Sequence, residues 1–311
     1  MEVLQGIGSF RPDGGAAVTV GFFDGVHVGH QAVIRQTVNA AARRGVRSVV
    51  LTFDRHPREV LTPGDVPQLL TTLRRKAELI EALGVDVLAV MEFDEDVSRW
   101  PPERFVDQAL VAGLGIRHGV VGANFTFGHK AAGTAAVLEE LGRARGFGVE
   151  TVPLTTLDGN PVSSTSIRRA ITEGDLAWPG RALGRRYVVE GTVVPGAGRG
   201  RDLGFPTANL RTPARILLPG RGVYAGRAHA GGDTWTAAIN VGVNPTFGEE
   251  PFHVEAFLLD FDGDLQGRVL AVEFWERLRE EVRFESPEAL ALQMKEDVAQ
   301  TRALVPSPGG T

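Results

Sequence analysis

The chain contains no cysteine, which excludes disulfide bonds, thiolate catalysis and cysteine-ligated zinc or iron–sulfur centres. Lysine is also scarce, because only Lys76, Lys130 and Lys295 occur among the 33 basic residues. None of the three stands in the Gly-Lys-Ser/Thr context of a P-loop, and the His-Arg-Asp loop of protein kinases is missing. Any phosphate chemistry in this protein must therefore use a different design.

Long apolar runs are missing as well. No stretch of about 18 apolar residues occurs, so we expect no membrane span. Residues 1–11 lack the basic segment and following apolar stretch that mark a signal peptide. The formal net charge of −5 provides no overall positive field to attract nucleic acid or anionic membranes. We therefore expect a cytoplasmic protein, a monomer or homo-oligomer, that binds neither nucleic acid nor membranes.

The 311 residues, of which 43% are hydrophobic, suffice for about two domains. In the first half, apolar strand patterns alternate with helix patterns, which indicates a parallel sheet covered by helices on both faces. The predicted strands are Ala16–Gly21, Val46–Phe53, Val85–Met91, Gly119–Gly122 and Val149–Pro153. The predicted helices are Gln31–Arg44, Arg74–Leu83, Pro102–Ala112 and Ala135–Arg145.

The second half has a different pattern, with short β-like segments separated by Gly and Pro, which is typical of an antiparallel barrel or sandwich. These segments are Tyr187–Val194, Gly222–Ala230, Trp235–Val243, His253–Leu259 and Val269–Arg279. A final helix with Ser286 as its N-cap should cover one side of the barrel with an apolar stripe. That stripe consists of Leu290, Met294 and Val298. With Leu176–Arg186 as the linker, we predict two domains, residues 1–183 and 184–306.

The first motif runs from Gly21 to His30 and reads Gly-Phe-Phe-Asp-Gly-Val-His-Val-Gly-His. Its glycines let the backbone approach a ligand, and the helix that follows favours an anion at its N-terminus. His27 and His30 are three residues apart, so both can reach one phosphate group and stabilise the charge that develops on it. A metal-binding pair or two surface histidines would also fit the pair alone, but the strand–loop–helix setting favours phosphate.

A second motif, Ser-Ser-Thr-Ser-Ile-Arg, begins at Ser163 and places hydroxyl groups and Arg168 at the start of an apolar helix. This combination suits a clamp for a leaving pyrophosphate. A simple helix N-cap would explain the hydroxyl groups equally well.

Two further stretches follow predicted strands, at the edge where open α/β sheets bind ligands. Thr52–Pro57 follows the second strand, and Gly122–Gly128 follows the fourth. Their aromatic and amide groups suit a flat heteroaromatic ring. Core packing is the alternative for Phe125 and Phe127.

The glycine-rich stretch Gly196–Gly200 fails the test for a dinucleotide fingerprint, because Gly-Phe-Pro-Thr-Ala-Asn follows in place of a helix. A flap over phosphates fits better. Thr207 and Asn209 alternate along an extended segment, so both side chains point the same way and their oxygens can hold Mg²⁺ with a nucleotide. A plain β-turn would explain the glycines but not the threonine and asparagine together.

Taken together, the motifs of the first half resemble the adenylyltransferase domain of bacterial FAD synthetases, which are distant relatives of the Rossmann-like nucleotidyltransferases with an HIGH-type motif. Gly-Phe-Pro-Thr-Ala-Asn resembles the signature of riboflavin kinases, and the resemblance continues to the end of the chain. It includes Asn240–Gly248, Val254-Glu255 and Asp260–Leu265. Gln266 departs from it, because the family usually has tyrosine there, which bears on the packing of the flavin loop but removes no phosphate ligand.

The resemblance implies site residues in both halves. The implied catalytic residues are His27, His30 and Glu255, the last as a general base. The implied ATP and pyrophosphate residues are Gly21, Phe22, Asp24, Gly25, Ser163, Ser164, Thr165 and Arg168. The implied flavin or nucleotide pocket of the first half contains His56, Pro57, Asn124 and Phe127. The implied kinase nucleotide site contains Gly200, Gly204, Thr207 and Asn209, of which Thr207 and Asn209 are the metal ligands.

The function that follows from the resemblance is bifunctional. Riboflavin would be phosphorylated by MgATP in the C-terminal domain to give FMN. FMN would then receive AMP from a second ATP in the N-terminal domain, giving FAD and pyrophosphate. The alternatives are an HIGH-type cytidylyl- or pantetheine-adenylyltransferase, which would not need the barrel, and a flavin-binding regulator that has lost catalysis.

Overall fold

The computed structural model describes residues 1–8, 10, 12–196, 199–243 and 253–307, with the side chains of Arg199 and Asp202 left aside. Its internal contacts divide the chain into two units, Met1–Ser164 and Thr165–Thr311. We call them the sheet unit and the barrel unit. The division falls earlier than the predicted boundary at residue 183, so two short helices between these positions pack with the barrel unit. The predicted boundary for independent folding stays a prediction.

The sheet unit is built on six parallel strands in the order β1-β4-β3-β2-β5-β8. Its strands are β1 (Glu2–Gln5), β2 (Ala16–Val20), β3 (Arg47–Phe53), β4 (Val87–Met91), β5 (Ile116–Gly122) and β8 (Gly148–Val152). Short hairpin strands are β6 (Thr126–Phe127), β7 (Gly133–Thr134), β9 (Thr156–Leu157) and β10 (Asn160–Pro161). Every residue of β2 and β4 is buried, which confirms a parallel sheet covered on both faces. Sequence analysis missed β1, whose mostly exposed residues lie at the sheet edge.

The helices of the sheet unit are α1 (Val28–Arg44), α2 (Arg58–Leu61), α3 (Leu73–Glu81), α4 (Glu95–Ser98), α5 (Pro102–Phe105) and α6 (Ala135–Arg145). α1 begins three residues before the predicted start, because His27 serves as its N-cap. The predicted helix Pro102–Ala112 is one α-helical turn that continues as a π-helix, Val106–Gly113. The helices cover a sheet whose strand order reverses between β2 and β5.

This reversal of strand order determines where the sheet can bind a ligand. Strands β3 and β4 lie on one side of β2, while β5 and β8 lie on the other. Connections leaving the carboxyl ends of β2 and β5 therefore diverge and open a crevice, which is where open α/β sheets bind ligands. The loop that begins at Gly21 follows β2, and the loop that contains Asn124 follows β5.

The barrel unit contains a closed antiparallel barrel in the order β11-β12-β15-β14-β13-β16, as the sequence pattern predicted. Its strands are β11 (Tyr187–Val194), β12 (Ala208–Arg211), β13 (Gly222–Ala230), β14 (Asp233–Gly242), β15 (His253–Leu258) and β16 (Val269–Arg279). Tyr224 and Phe274 are fully buried in an edge-to-face pair with ring centroids 5.4 Å apart. Burial raises the pKa of Tyr224 to about 12.

The helices of the barrel unit are α7 (Ser164–Glu173), which crosses the division, α8 (Ala177–Leu183), α9 (Arg199–Asp202) and α10 (Pro287–Leu304). The predicted linker Leu176–Arg186 contains helix α8. Because Pro179, Ala182 and Leu183 of this helix are buried, the segment is a packed part of the structure. α9 is a single turn in the glycine-rich stretch where no helix was expected.

The terminal helix α10 packs against β13, β14 and β16. Ser286 caps it as predicted, accepting a hydrogen bond from the backbone N–H of Ala289 at 3.1 Å. The predicted apolar stripe is only partly buried. The helix is instead held to the barrel by the buried Asp297, whose carboxylate accepts two hydrogen bonds from the Arg279 guanidinium of β16 at 2.9 and 2.8 Å.

Candidate active sites

His27 and His30 come together at the start of α1. Their rings stack with centroids 3.5 Å apart, which confirms that residues at this spacing share one face. The backbone N–H of His30 donates to Nδ1 of His27 at 3.2 Å. Because Nδ1 is the acceptor, the neutral His27 ring carries its proton on Nε2. The cap therefore fixes the tautomer in which Nε2 is the donor.

His30 is held neutral. Burial lowers its pKa well below the ordinary value of 6.5, and the adjacent His27 ring and the Lys76 ammonium act in the same direction. Among the described residues, its Nδ1 is buried and has no hydrogen-bond partner. A buried ring nitrogen of this kind fits a polar ligand group that completes its hydrogen bonding.

The loop between β2 and α1 is braced from inside the protein. Asp24 is 2% exposed, and its carboxylate accepts hydrogen bonds from the backbone N–H groups of Leu70 at 3.0 Å and Thr71 at 3.1 Å. The N–H of Gly25 donates to the Thr71 hydroxyl at 3.1 Å. Asp24 thus acts as a brace, and a direct contact between Asp24 and ATP stays a prediction.

Lys76 lies beneath the same loop, and sequence reasoning missed it. It is 2% exposed, and its Nζ donates to the carbonyl oxygen of Phe22 at 2.6 Å. Nζ also lies 3.8 Å from the centroid of the Phe22 ring. Burial lowers the pKa of Lys76 to about 8, while the nearby Asp24 carboxylate opposes this shift. A lysine at one position of an amphipathic helix gives no sequence signal for such a role.

The loop backbone is strained at two non-glycine residues. Phe23 has φ +53° and Val26 has φ +42°, both in the left-handed region. Val26 is β-branched, so this conformation is costly and persists only because the surroundings enforce it. Gly25, with φ +80°, lies between them and adopts its conformation without that cost.

The loop after β3 reaches the same place. The His56 ring lies edge-on to the Phe22 ring, with centroids 4.8 Å apart. The Nδ1 of His56 accepts a hydrogen bond from the backbone N–H of Arg58 at 3.1 Å, at the first turn after Pro57. His56 is therefore adjacent to the β2 loop, as expected from neighbouring parallel strands.

The loop after β5 divides into an exposed and a buried part. Asn124 is exposed at the carboxyl end of β5. Phe127 is 8% exposed and packs in the core with Phe105 and Phe125. The core-packing alternative therefore describes the Phe127 ring, and its contact with flavin stays a prediction.

The hydroxyl motif begins at α7. The Ser164 hydroxyl donates to the carbonyl oxygen of Asp24 at 3.0 Å, so it joins the brace of the β2 loop. Ser163 immediately precedes this helix. Thr165 and Arg168 lie in its first turns and belong to the barrel unit. Their role at pyrophosphate stays a prediction.

The second site lies on one face of the barrel. Glu255 of β15 pairs with Asn209 of β12 on one side and with Asn240 of β14 on the other. Directly opposed residues in antiparallel strands point to the same face, so the two amides flank the carboxylate. The Thr207 hydroxyl donates to Oε2 of Glu255 at 3.3 Å. The expected grouping of Thr207, Asn209 and Glu255 is therefore present.

This grouping fits Mg²⁺. The Thr207 hydrogen points to Glu255, which leaves the lone pairs of its oxygen for a hard cation, and Asn209 contributes an amide oxygen. In the part of the chain that the structure describes, no cluster of three or more His, Cys, Asp or Glu residues could hold a metal. The fit is thus to a cation held largely by nucleotide phosphates.

The glycine-rich stretch closes against the same face. The backbone N–H of Phe205 donates to the carbonyl oxygen of Gly200 at 2.7 Å. Gly204 has φ +84° and reverses the chain between α9 and Thr207. The resembling stretch Asn244–Gly248 lies outside the described residues.

Sequence reasoning missed His253 at the barrel site, as it missed Lys76 at the site of the sheet unit. Its Nε2 lies 3.0 Å from Oε1 of Glu255, two residues along the same strand. The spacing His-x-Glu on a strand was the available signal, because alternate residues share a face.

Comparisons with known proteins match the two parts of the chain to two different families. A family model described as FAD synthetase matches residues 10–166, and one described as riboflavin kinase matches residues 183–305. A bifunctional riboflavin kinase/FMN adenylyltransferase of Pseudomonas fluorescens is 40% identical over 306 residues, covering 98% of each chain. The enzyme of that name from Listeria monocytogenes is 40% identical over 288 residues, covering 92% of this chain and 91% of the relative.

A solved structure shares the fold. The crystal structure of a macrolide-efflux protein from Streptococcus pneumoniae superposes with a TM-score of 0.88 at 29% identity, covering 97% of this chain and 99% of that one. None of the helices that the structure describes here has the length and apolar character needed to cross a membrane.

Proposed function

The chain belongs to the family of bifunctional riboflavin kinases/FMN adenylyltransferases, and on that premise we propose which residues carry each of its two reactions. The barrel unit phosphorylates riboflavin to FMN, and the sheet unit adenylylates FMN to FAD. The observation that carries the assignment is that each family match contains one of the two phosphate-binding constellations: the stacked histidines in one, and Thr207 with Glu255 in the other.

In the adenylyl transfer, a phosphate oxygen of FMN attacks the α-phosphorus of ATP, and the bond to the β-phosphate breaks. Nε2–H of His27 donates to the α-phosphate and stabilises the charge that builds there. His30, held neutral, contributes a second nitrogen at the same group. The N-terminus of α1 adds backbone N–H groups. Ser163, Ser164, Thr165 and Arg168 receive the leaving pyrophosphate.

The flavin and adenine of this first reaction lie in the crevice between the loops that follow β2, β3 and β5. Gly21, Phe22 and Gly25 supply backbone close to the phosphates. His56, Pro57, Asn124 and Phe127 form the pocket for flavin or adenine. The support for this placement is the strand-order reversal between β2 and β5 and the contact of His56 with Phe22.

In the kinase reaction, Glu255 accepts the proton of the ribityl 5′-hydroxyl as that oxygen attacks the γ-phosphorus of ATP. Thr207 and Asn209 would hold Mg²⁺, which would neutralise charge on the phosphates. Gly200 and Gly204 allow the backbone to approach the nucleotide. The Thr207–Glu255 hydrogen bond orients both groups toward the same ligand.

The substrates set the remaining expectations. ATP serves both reactions with Mg²⁺, and FMN is the product of one and the substrate of the other. We place the protein in the cytoplasm, in keeping with the absence of cysteine and with no need for nucleic acid or membrane partners. It acts as a monomer or homo-oligomer.

Chromatography of flavins after incubation with riboflavin, ATP and Mg²⁺ tests the proposal. FMN should appear first and FAD second, and chelation of Mg²⁺ by EDTA should stop FMN formation. Riboflavin that persists unchanged in the presence of Mg²⁺ and ATP would contradict the proposed function.

A further inference from the structure

His253 and Glu255 form a partly buried pair on β15. Residues two apart on a strand share a face, and the distance from Nε2 of His253 to Oε1 of Glu255 is 3.0 Å. The side chains are only 19% and 17% exposed, so water competes little for this contact. A charge-assisted hydrogen bond under such cover is stronger than the same contact in solvent.

The direction of this hydrogen bond follows from the chemistry of its partners. An ionised carboxylate only accepts, so Nε2 of His253 carries the hydrogen. Thr207 donates to the other oxygen, Oε2, at 3.3 Å. Each carboxylate oxygen therefore has a donor, and the plane of the Glu255 carboxylate is fixed from both sides.

A second histidine–glutamate pair in the same barrel shows what is special about the first. Nε2 of His229 lies 3.7 Å from Oε2 of Glu273, and the histidine's Nδ1 contacts the Thr234 hydroxyl at 2.9 Å. His229 lies six residues along β13 from Val223, which pairs with Asn240 beside Glu255. At about 3.3 Å per residue, this is roughly 20 Å from the site. His229 therefore offers a matched control.

We propose that His253 is a positioning residue of the kinase reaction, which holds the Glu255 carboxylate in the orientation that accepts the ribityl hydroxyl proton. The proposal rests on the proposed function of Glu255 as general base. His253 acts only through Glu255, so its removal should lower the turnover of bound riboflavin and leave riboflavin binding nearly unchanged. A misdirected base costs rate by lost alignment, on the order of 10- to 100-fold.

A double-mutant cycle on the full chain tests this mechanism. His253→Leu, Glu255→Gln and the double variant are compared with the wild type by steady-state formation of FMN, with kcat and KM for riboflavin measured separately. His253→Gln keeps an N–H donor of similar reach, and His229→Leu is the matched control. Circular dichroism and the thermal midpoint report whether each variant is folded.

In the wild-type background, we expect His253→Leu to lower kcat on the order of 10- to 100-fold and to change KM less than about threefold. In the Glu255→Gln background, the same substitution should cost almost nothing further, since the group it positions is gone. His253→Gln should recover part of the lost rate, and His229→Leu should leave kcat unchanged.

The outcomes separate the two claims. An equal loss from His253→Leu in both backgrounds, or no loss in either, would overturn the role of His253 while leaving Glu255 as the base. Full kinase activity of Glu255→Gln would overturn the base itself, and the positioning role with it. A loss confined to KM would assign His253 to substrate binding and contradict the proposal.

Discussion

The two phosphate sites that we propose for this protein are built from different atoms. The site of the sheet unit presents nitrogen donors, the rings of His27 and His30 and the N-terminus of α1. The site of the barrel unit presents oxygens, those of Thr207, Asn209 and Glu255. Each set suits the charge that its own reaction develops.

The nucleophiles explain the difference. In adenylyl transfer, the attacking phosphate of FMN is already ionised near pH 7, since the second pKa of a phosphate monoester is about 6. No base is needed, and Asp24, the carboxylate of the β2 loop, is spent on bracing backbone N–H groups. In the kinase reaction the nucleophile is a neutral hydroxyl, so a carboxylate must face the ligand. We propose that Glu255 is this carboxylate.

The largest effect should come from removing the proposed general base of the kinase reaction, which would leave the other site intact. Glu255→Gln should slow FMN formation by roughly 10²- to 10⁴-fold, the usual effect of losing a positioned general base. Adenylylation of supplied FMN should be unaffected. Both rates are measured by flavin chromatography, with Glu276→Gln, which alters an exposed carboxylate on the same barrel, as control. Normal FMN production by Glu255→Gln would show that the hydroxyl is activated in another way.

Substitution of His27 should impair the reaction of the sheet unit instead. His27→Ala should lower FAD formation by roughly 10²- to 10³-fold or more, so that FMN accumulates. This variant also loses the N-cap of α1, which costs about 1 kcal/mol. His27→Asn keeps a side-chain cap and removes only the imidazole, so it should lose activity with less loss of stability.

Exposed His129 of the sheet unit supplies the control for this experiment, and His129→Ala should form FAD at the wild-type rate. Equal loss of both activities in folded His27→Asn would mean that the two sites are not separable. A His27→Asn variant that makes FAD normally would remove the histidine from the mechanism.

Lys76 sharpens the comparison, because it is a buried charge that serves the sheet unit alone. Lys76→Met should slow FAD formation on the order of tenfold, since the Phe22 carbonyl loses a donor that fixes the loop. The fold should be as stable as the wild type or more stable, because a desolvated charge is replaced by an apolar chain of similar length. Exposed Lys295 gives the control, Lys295→Met.

The pH dependence of stability checks the same residue. The pKa of Lys76 is lowered to about 8 in the folded protein, so between about pH 8 and the ordinary value of 10.5 the unfolded chain binds more protons. Lys76 therefore makes the free energy of unfolding of the wild type rise with pH in this window. The stability advantage of Lys76→Met should shrink from pH 8 to pH 10, as measured by denaturant unfolding. An advantage that is constant from pH 8 to pH 10 would show that burial does not lower the pKa of Lys76.

The smallest expected effect concerns the boundary between the units. The fragments 165–311 and 184–311 both contain Thr207, Asn209 and Glu255, so both should convert riboflavin to FMN and neither should make FAD. The shorter fragment lacks α7 and α8. The buried side chain of Leu183 and the hydrogen bond from the Gly220 N–H to the Ile171 carbonyl at 3.0 Å are then lost.

We therefore expect the thermal midpoint of 184–311 to be about 5 °C or more below that of 165–311. Calorimetry measures both midpoints. Equal midpoints would favour the boundary at residue 183 that the sequence predicts. A folded 165–311 fragment without kinase activity would mean that the barrel site borrows residues from the sheet unit.

Sequence patterns predicted the architecture well. The spacing of apolar residues distinguishes strands from helices, and Gly, Pro and helix-capping residues mark where these elements end. The buried strands β2 and β4 are apolar on both faces, and Ser286 is an ordinary N-cap signal for α10. The mostly exposed edge strand β1 gave no apolar pattern. The anchor of α10 is the polar pair Arg279–Asp297, which an analysis of apolar stripes does not detect.

Within the sites, residues in short local motifs could be predicted and residues brought in by the fold could not. His27 and His30 are three apart in sequence, so local geometry alone places them together. Lys76 reaches Phe22 from a different helix, and only the tertiary structure reveals the contact. Nothing in the sequence indicated that the Asp24 carboxylate accepts hydrogen bonds from the backbone N–H groups of Leu70 and Thr71, and its contact with ATP stays a prediction.

The most direct test of two separable sites is a mixing experiment. His27→Asn and Glu255→Gln chains are incubated separately and together with riboflavin, ATP and Mg²⁺, and FAD is followed by chromatography. Each variant lacks one reaction, so we predict almost no FAD from either alone at early times. The mixture should form FAD, because FMN released by the first variant is adenylylated by the second. A mixture of folded variants that forms no more FAD than its components would contradict the account.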